Sequence, residues 1–289
     1  MKKTTMIRIL CFILLAFVPM YGLCAVYSRS GMSALLVLMM FLPAIASLLT
    51  RLITHEGFED MMLNWRWKGN GKRYLFAYFA PPLLAYAGAA VYFLLFPKDF
   101  SPLQSAFAVQ SSITSADDYI KTLLVMVPLA IVVNPLMGIV PCLGEELGWR
   151  GYLLPKLSES FSPLASAALT GVVWGIWHAP LIALGYNYGS EHPAAGILAM
   201  VVFCTCIGLI SGFLAYQTRS IWPAVLFHAA INGMDKWPAS LLLMSKQPNM
   251  FVGPDLLGII GGLGFLVADI FIICSMHKNM AGMVLGNNV

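Results

Sequence analysis

Eight apolar stretches recur along the chain, and each is long enough to cross a bilayer as a helix. A transmembrane helix needs about 20 mainly apolar residues to span about 30 Å of hydrocarbon. The pattern predicts an all-α fold, a polytopic membrane bundle of about eight transmembrane helices that forms one integral membrane domain over residues 1–289. The stretches lie at about 7–26, 32–53, 74–96, 119–140, 163–184, 194–216, 221–243 and 255–276.

The composition favours the same class of protein. Apolar residues make up 59% of the chain and charged residues 10%, with a mean hydropathy of +0.80. A soluble domain carries about 25% charged residues, so this chain must expose much of its outside to lipid. The bilayer is therefore an expected partner. No basic run is long enough to indicate nucleic-acid binding.

Basic residues are unevenly distributed between alternate connections. If Lys2 and Lys3 lie in the cytoplasm, then the connection at about 51–73 and those that carry Arg150 and Arg219 lie there too. The positive-inside rule then predicts a multi-pass protein of the cytoplasmic (cell) membrane with both termini inside the cell.

A short amphipathic segment lies within the connection at about 51–73. Phe58, Met61, Met62 and Trp65 follow the i, i+3, i+4, i+7 spacing of one helix face. The spacing favours a short helix over 58–66 in the cytoplasmic interface, with a plain polar loop as the alternative.

The stretch 119–157 is too long for one ordinary span, because at 1.5 Å per residue it would reach about 57 Å. Pro128, Pro135 and Pro141 interrupt it, and proline kinks or breaks a helix. We expect a kinked helix, with a new helical piece near Pro141 that carries an acidic pair. This helix opens the motif-bearing core of the chain, at about 119–243.

The acidic pair is the first of three polar clusters inside apolar stretches, where ionised groups need a partner or a function. Glu145 and Glu146 are about 100° apart on a helix and face different ways. Glu146 and Arg150, at i and i+4, share a face and can form an ion pair. Glu145 is then left to face His178 and His228, so we assign it as a general base, with Glu146 and Arg150 in support.

The other two clusters supply the remaining candidate catalytic groups. His178 can hold an attacking water together with Glu145. His228 and Asn232 are i, i+4 neighbours and can donate hydrogen bonds to the oxyanion formed when a peptide carbonyl is attacked. Alternatively, Glu145, His178 and His228 could bind a divalent metal such as zinc with an open position for water. Metal dependence stays open at this point, and no cofactor is certain.

Two further acidic residues lie in or beside the later apolar stretches. Asp235 is expected to line the same cavity unless the neighbouring Lys236 pairs with it. Asp269 lies toward the end of the last stretch, where a structural pairing is expected.

Three motifs together resemble those of the CPBP intramembrane proteases. They are Glu-Glu-x-x-x-Arg at 145–150, Trp-x-x-x-His at 174–178 and His-x-x-x-Asn at 228–232. The family includes CAAX prenyl protease type II enzymes and bacterial proteins linked to bacteriocin processing or self-immunity. Trp174 replaces the commoner Phe of the family, and we expect no effect of this difference on the chemistry.

The resemblance implies an intramembrane endopeptidase that hydrolyses membrane-associated or apolar peptides by glutamate-activated water, although the family is often named as metalloproteases. It implies that Glu145 and His178 activate water and that His228 and Asn232 stabilise the oxyanion. The expected partner is a peptide or membrane-protein substrate. Two alternatives remain: a non-catalytic immunity or scaffold protein, and a proton- or metal-coupled transporter. Transporters often contain internal repeats, and none is evident in this sequence.

Overall fold

The computed structural model describes the backbone of residues 2–286 and the side chains of residues 2–274. This part of the chain is built from helices and connections, with no β-strand. The α-helices are α1 (Lys3–Ser30), α2 (Ala34–Met40), α3 (Leu42–Ile53), α4 (Gly71–Leu95), α5 (Ala106–Gln110), α6 (Ala116–Gly148), α7 (Leu154–Ser158), α8 (Pro163–Trp177), α9 (Ala179–Ala183), α10 (Pro193–Thr218), α11 (Trp222–Met234), α12 (Ala239–Leu243) and α13 (Leu263–Gly286). Short 3₁₀ turns lie at Glu59–Met61, Pro97–Asp99 and Pro102–Gln104, and a π-helical turn lies at Trp149–Leu153.

The predicted all-α membrane helix bundle is confirmed, and the protein is a multi-pass membrane protein. Five helical stretches are long and apolar enough to cross a membrane: Lys3–Ser30, Ala34–Ile53, Gly71–Leu95, Ala116–Ser158 and Pro193–Thr218. The shorter helices α8 and α13 are also apolar. The count of eight spans stays a prediction, because the seventh stretch is divided between α11, with 13 residues, and α12, with 5 residues.

The long helix α6 carries the acidic pair and differs from the expectation in one respect. It continues through Pro128, Pro135 and Pro141, so the new helical piece expected near Pro141 is not observed. Proline is tolerated within membrane helices, where local adjustments satisfy the freed backbone groups. The helix geometry changes after the acidic pair instead, at the π-helical turn Trp149–Leu153. Such turns are frequent at functional sites.

The prediction of an interfacial helix over 58–66 is wrong. Only the 3₁₀ turn Glu59–Met61 forms, and Met62 takes a left-handed backbone conformation with φ 53°. The reason lies in tertiary contacts, because the carbonyl groups of this segment accept hydrogen bonds from another element. Ile221 N–H donates to the Met62 carbonyl over 2.9 Å, and the Trp222 indole N–H donates to the Leu63 carbonyl over 2.7 Å.

Two glycines fix the position of the acidic pair against α2 and α3. Gly144 and Gly148 are one turn apart on α6 and flank Glu145 and Glu146. A Cβ atom at Gly144 would lie 2.8 Å from the Met40 carbonyl oxygen, and one at Gly148 would lie 2.3 Å from Pro43 Cβ. Small residues at this spacing allow membrane helices to pack at backbone contact. The close approach therefore sets both the depth and the rotation of α6.

A second glycine pair fixes α8 against α10. A Cβ atom at Gly171 would lie 2.6 Å from the Cys204 carbonyl oxygen, and one at Gly175 would lie 2.5 Å from Val201 Cα. Gly208 of α10 reciprocates, since its own Cβ would lie 2.9 Å from Gly171 Cα. His178 follows this contact directly and caps the C-terminus of α8.

Candidate active site

The structure brings the four candidate catalytic residues together around one cavity of about 350 Å³. Glu145 comes from α6, His178 from the end of α8, and His228 and Asn232 from α11. The cavity wall is otherwise mainly apolar and is completed by side chains of α1, α2 and α10. Three motifs that are far apart in the sequence thus line one shared cavity.

The Glu145 carboxylate is held by two tryptophans. The indole N–H of Trp149, one turn later on the chain, donates to Oε2 over 3.2 Å. The indole N–H of Trp174 from α8 donates to the same oxygen over 2.6 Å. Oε1 makes no hydrogen bond to the described residues, and Glu145 lines the cavity although it is only 3% exposed. One oxygen is therefore fixed, and the other is left for a ligand in the cavity.

The Glu146 carboxylate points away from the cavity and is fully buried. Arg150 Nη1 donates to Glu146 Oε1 over 2.9 Å, so the ion pair expected from their spacing is observed. His228 Nδ1 lies 3.0 Å from the same oxygen. The guanidinium of Arg150 also lies over the ring of Trp174, 4.8 Å from its centroid. Glu146 therefore joins α6 to α11.

The position of His228 differs from the expectation that Glu145 would face both histidines. Its ring nitrogen contacts Glu146, while Glu145 is bonded by indoles. A carboxylate only accepts, so Nδ1 of His228 carries the proton of that hydrogen bond. The ring packs edge to face against Trp174, with centroids 5.0 Å apart. Nε2 of His228 is therefore the ring nitrogen that does not contact Glu146.

His178 is oriented by its own helix. Its Nδ1 lies 2.9 Å from the backbone carbonyl of Trp174, which can only accept, so Nδ1 donates and Nε2 of the neutral ring is an acceptor. Trp177 packs edge to face on the imidazole, with centroids 5.0 Å apart. The ring orientation and tautomer therefore follow from the last turn of α8.

Asn232 and the two further acidic candidates have different surroundings. Asn232 lines the cavity, and its Nδ2 lies 3.5 Å from Cys142 Sγ. Asp235 also lines the cavity, and no ion pair joins it to Lys236 in the described structure. Asp269 is 4% exposed, and neither carboxylate oxygen has a hydrogen-bond partner among residues 2–274. The structural pairing expected for Asp269 is therefore not observed.

Sequence reasoning missed the two tryptophans that bind Glu145. Trp149 lies at i+4 from Glu145, which is the spacing of two side chains on one helix face. Trp174 was named only as the aromatic residue of the second motif. Its indole N–H reaches the carboxylate, and a phenylalanine at this position could not make that bond. The expectation that tryptophan in place of phenylalanine has no effect on the chemistry did not include this contact.

The metal alternative can be tested against the donor set. Within the described residues, no group of three or more His, Cys, Asp or Glu side chains is arranged to hold a metal ion. Metal binding by Glu145, His178 and His228 stays a prediction.

An ionic cluster joins the segment that follows the acidic pair to the connection that carries Glu56 and Asp60. Lys156 of α7 contacts Glu56 over 2.6 Å and Asp60 over 3.0 Å. The Tyr152 hydroxyl donates to Glu56 over 2.5 Å, and the buried Arg51 contacts Asp60 over 2.5 Å. Burial alone would raise the pKa of both carboxyl groups. The hydrogen bonds and positive charge of these partners outweigh burial and lower the pKa of Glu56 and of Asp60.

Fold and site together define a class: a polytopic membrane helix bundle with an acid pair, two histidines and an asparagine around an internal cavity. Residues 122–234 match the family Type II CAAX prenyl endopeptidase Rce1-like. A segment of 92 residues is 36% identical to CAAX prenyl protease 2 of Methanococcus maripaludis, covering 30% of this chain and 34% of that relative. These matches support the resemblance to the CPBP family that the three motifs indicated. The aligned part spans about a third of the relative's length.

Proposed function

We propose that the protein is an intramembrane endopeptidase that hydrolyses peptide bonds of membrane-associated or apolar peptides, with a water molecule activated by Glu145. The observation that carries the proposal is the state of the Glu145 carboxylate. Its Oε2 accepts two indole hydrogen bonds, and its Oε1 is left to the cavity that His178, His228 and Asn232 also line. The family match and the name of the relative support the same reaction class.

In the first step, Glu145 and His178 hold and activate the water. Oε1 of Glu145 accepts one hydrogen of the water, and Nε2 of neutral His178 can accept the other. The water oxygen attacks the peptide carbonyl carbon while its proton moves to Glu145. The fixed Oε2 keeps the carboxylate in one orientation, which lowers the entropic part of the barrier.

In the second step, the tetrahedral oxyanion is stabilised by α11. Asn232 can donate from Nδ2, and His228 can donate from Nε2 when its ring carries both protons. The proton on Glu145 passes to the departing amine, and the carbon–nitrogen bond breaks.

The cavity also suggests the kind of substrate. Its walls carry Met20, Leu36, Met39, Phe203 and Ile207 among other apolar side chains. An extended apolar peptide segment suits such walls, because its side chains lose contact with water while its carbonyl group lies near the polar side chains of Glu145, His228 and Asn232. We further propose that the enzyme lies in the cytoplasmic membrane with both termini inside the cell, as its basic residues predict.

The test compares single glutamate variants of the purified protein in liposomes. Glu145→Gln keeps the shape of the side chain but cannot accept a proton, so we expect kcat/KM on a peptide library to fall by about 10²- to 10⁴-fold. Glu191→Gln is the matched control, since Glu191 is exposed and does not line the cavity. The control is expected to cleave like the wild type.

Glu146→Gln separates positioning from catalysis. It removes the partner of buried Arg150, and leaving one charge of a buried pair alone costs about 3–5 kcal/mol. We expect this variant to lose thermal stability, whereas Glu145→Gln keeps it. Unchanged cleavage by Glu145→Gln would contradict the proposed role. A folded wild type that cleaves no peptide would favour the non-catalytic alternative, and ion flux in the same liposomes would favour the transporter.

A further inference from the structure

A second and larger cavity lies between α4, α10 and α13, and it shares no lining residue with the catalytic cavity. Its volume is about 1020 Å³. We call it the α4–α13 groove. Its lining residues are Gly69, Gly71, Lys72, Arg73, Phe76, Leu84, Phe213, Leu214, Val267, Ala268, Phe271 and Ile272.

The charges of the groove are all at one end. Lys72 and Arg73 lie in the first turn of α4, and no acidic residue lines the groove. Arg73 donates to Asn70 Oδ1 over 3.0 Å and to Gln217 Oε1 over 3.1 Å, and both acceptors are neutral. No acidic partner of Lys72 or Arg73 is present among the described side chains. The mouth of the groove therefore keeps two positive charges.

The rest of the groove is apolar and reaches the middle of the bilayer. Leu84 lies 12 residues after Lys72 on α4, which corresponds to about 18 Å along the helix. Half of a hydrocarbon core is about 15 Å thick, the depth that one acyl chain occupies. Phe271 is 72% exposed and Val267 51%, so these walls face the lipid side of the bundle.

We propose that the α4–α13 groove binds one anionic phospholipid. The phosphate would lie between Lys72 and Arg73, and one acyl chain would run along Phe76 and Phe213 toward Leu84. Phosphate oxygens accept charge-assisted hydrogen bonds from guanidinium and ammonium groups. Basic pockets between transmembrane helices on the cytoplasmic side suit anionic headgroups, and Lys72 and Arg73 lie on the side where the positive-inside rule puts the cytoplasm.

The charge pattern selects this occupant over others. A peptide helix from a partner would present no group that needs the two basic residues at one end of an otherwise apolar groove. A zwitterionic phospholipid carries a positive group that the same two residues repel. An isoprenoid chain without phosphate would contact the apolar walls but would leave the positive charges of Lys72 and Arg73 without a counter-charge. An anionic lipid matches both parts of the groove at once.

The experiment measures lipids retained by the purified full-length protein. The protein is incubated with mixed micelles of phosphatidylglycerol and phosphatidylcholine in equal amounts, and bound lipid is counted by native mass spectrometry. For Lys72→Gln with Arg73→Gln, we expect the affinity for phosphatidylglycerol to fall about thirty-fold. Each basic residue near the surface contributes about 1 kcal/mol, and 1.4 kcal/mol is a factor of ten. The single variant Lys72→Gln is expected to lose about five-fold.

Two further variants make the result specific. Lys2→Gln with Lys3→Gln removes the same charge from exposed residues outside the groove and is expected to retain the lipid. Ala268→Phe fills the apolar part without changing charge and is expected to release both lipids. Because Arg73 also joins α4 to α10, Lys72→Gln alone still decides the outcome if the double variant does not fold.

Three outcomes would overturn the proposal. The first is equal retention of the two phospholipids by the wild type. The second is an equal loss for the Lys2/Lys3 control, which would indicate general surface attraction. The third is stronger retention of an isoprenoid alcohol that Lys72→Gln does not change, which would assign the groove to a lipid chain alone. The catalytic proposal is unaffected by any of these results, since peptide cleavage is measured separately.

Discussion

Replacing Trp174 by phenylalanine is the sharpest test of how the candidate site works. The substitution removes the indole N–H that donates to Glu145 Oε2 over 2.6 Å, but it keeps an aromatic ring beside His228 and Arg150. A hydrogen bond to a charged group is worth about 1.5–3 kcal/mol. If this energy orients the carboxylate for the reaction, kcat/KM should fall by about 10- to 150-fold, at about 1.4 kcal/mol per tenfold.

The loss should be smaller than for Glu145→Gln. Trp149 still donates to Glu145 Oε2 over 3.2 Å in the Trp174→Phe variant, so the carboxylate keeps one restraint and its capacity to accept a proton. The assay is the initial rate of cleavage of a fluorogenic peptide by the protein in liposomes, together with the thermal unfolding midpoint.

Trp177→Phe is the matched control on the same helix. Trp177 is equally buried and packs on His178, a contact whose aromatic ring phenylalanine keeps, but its indole N–H donates to the backbone carbonyl of Ala16 over 3.1 Å rather than to Glu145. We expect this variant to lose about 1 kcal/mol of stability and to change kcat/KM only a few-fold. Wild-type activity in Trp174→Phe, or an equal loss of activity in both variants, would refute the role of the indole.

Three other changes test separate parts of the structure. Gly148→Ala forces a Cβ atom into α3, so we expect a loss of about 1–3 kcal/mol in stability, measured by thermal unfolding in detergent. Because the pKa values of Glu56 and Asp60 are lowered, their stabilisation is complete above the ordinary carboxyl pKa of about 4 and is lost as the pH falls through the lowered values. Thermal unfolding below about pH 4 should therefore become easier, and Lys156→Met should weaken this pH dependence. Asp269→Leu replaces a buried carboxyl without a hydrogen-bond partner by an apolar side chain of similar size, so its unfolding midpoint should rise.

Features that depend on spacing within one helix were predictable from the sequence. The apolar stretches gave the helical membrane fold, because their length alone decides whether a helix can span hydrocarbon. The ion pair of Glu146 with Arg150 followed from i, i+4 spacing, and it is observed. The convergence of the three motifs on one cavity was expected because each places polar groups inside an apolar stretch, where such groups need a partner or a function.

Features that depend on how one helix is rotated against another were not predictable. The sequence places His228 on α11, but the packing of α11 on α6 decides that it meets Glu146 rather than Glu145. The predicted interfacial helix failed for a similar reason. The carbonyl groups of Met62 and Leu63 accept hydrogen bonds from Ile221 and Trp222. These donors are far away in the sequence, and no local sequence pattern predicts them.

The two adjacent carboxylates differ in the nature of their partners, and this difference accounts for a division of roles. Glu146 is bonded by a cation and an imidazole, so moving a proton to it would break a buried ion pair. Glu145 is bonded by two neutral indoles, whose hydrogen bonds fix its position without cancelling its charge. A proton can reach Glu145 from the cavity and leave again without isolating a buried cation. We therefore expect a substitution that gives Glu145 a cationic partner, such as Trp149→Arg, to abolish cleavage even where the protein remains folded.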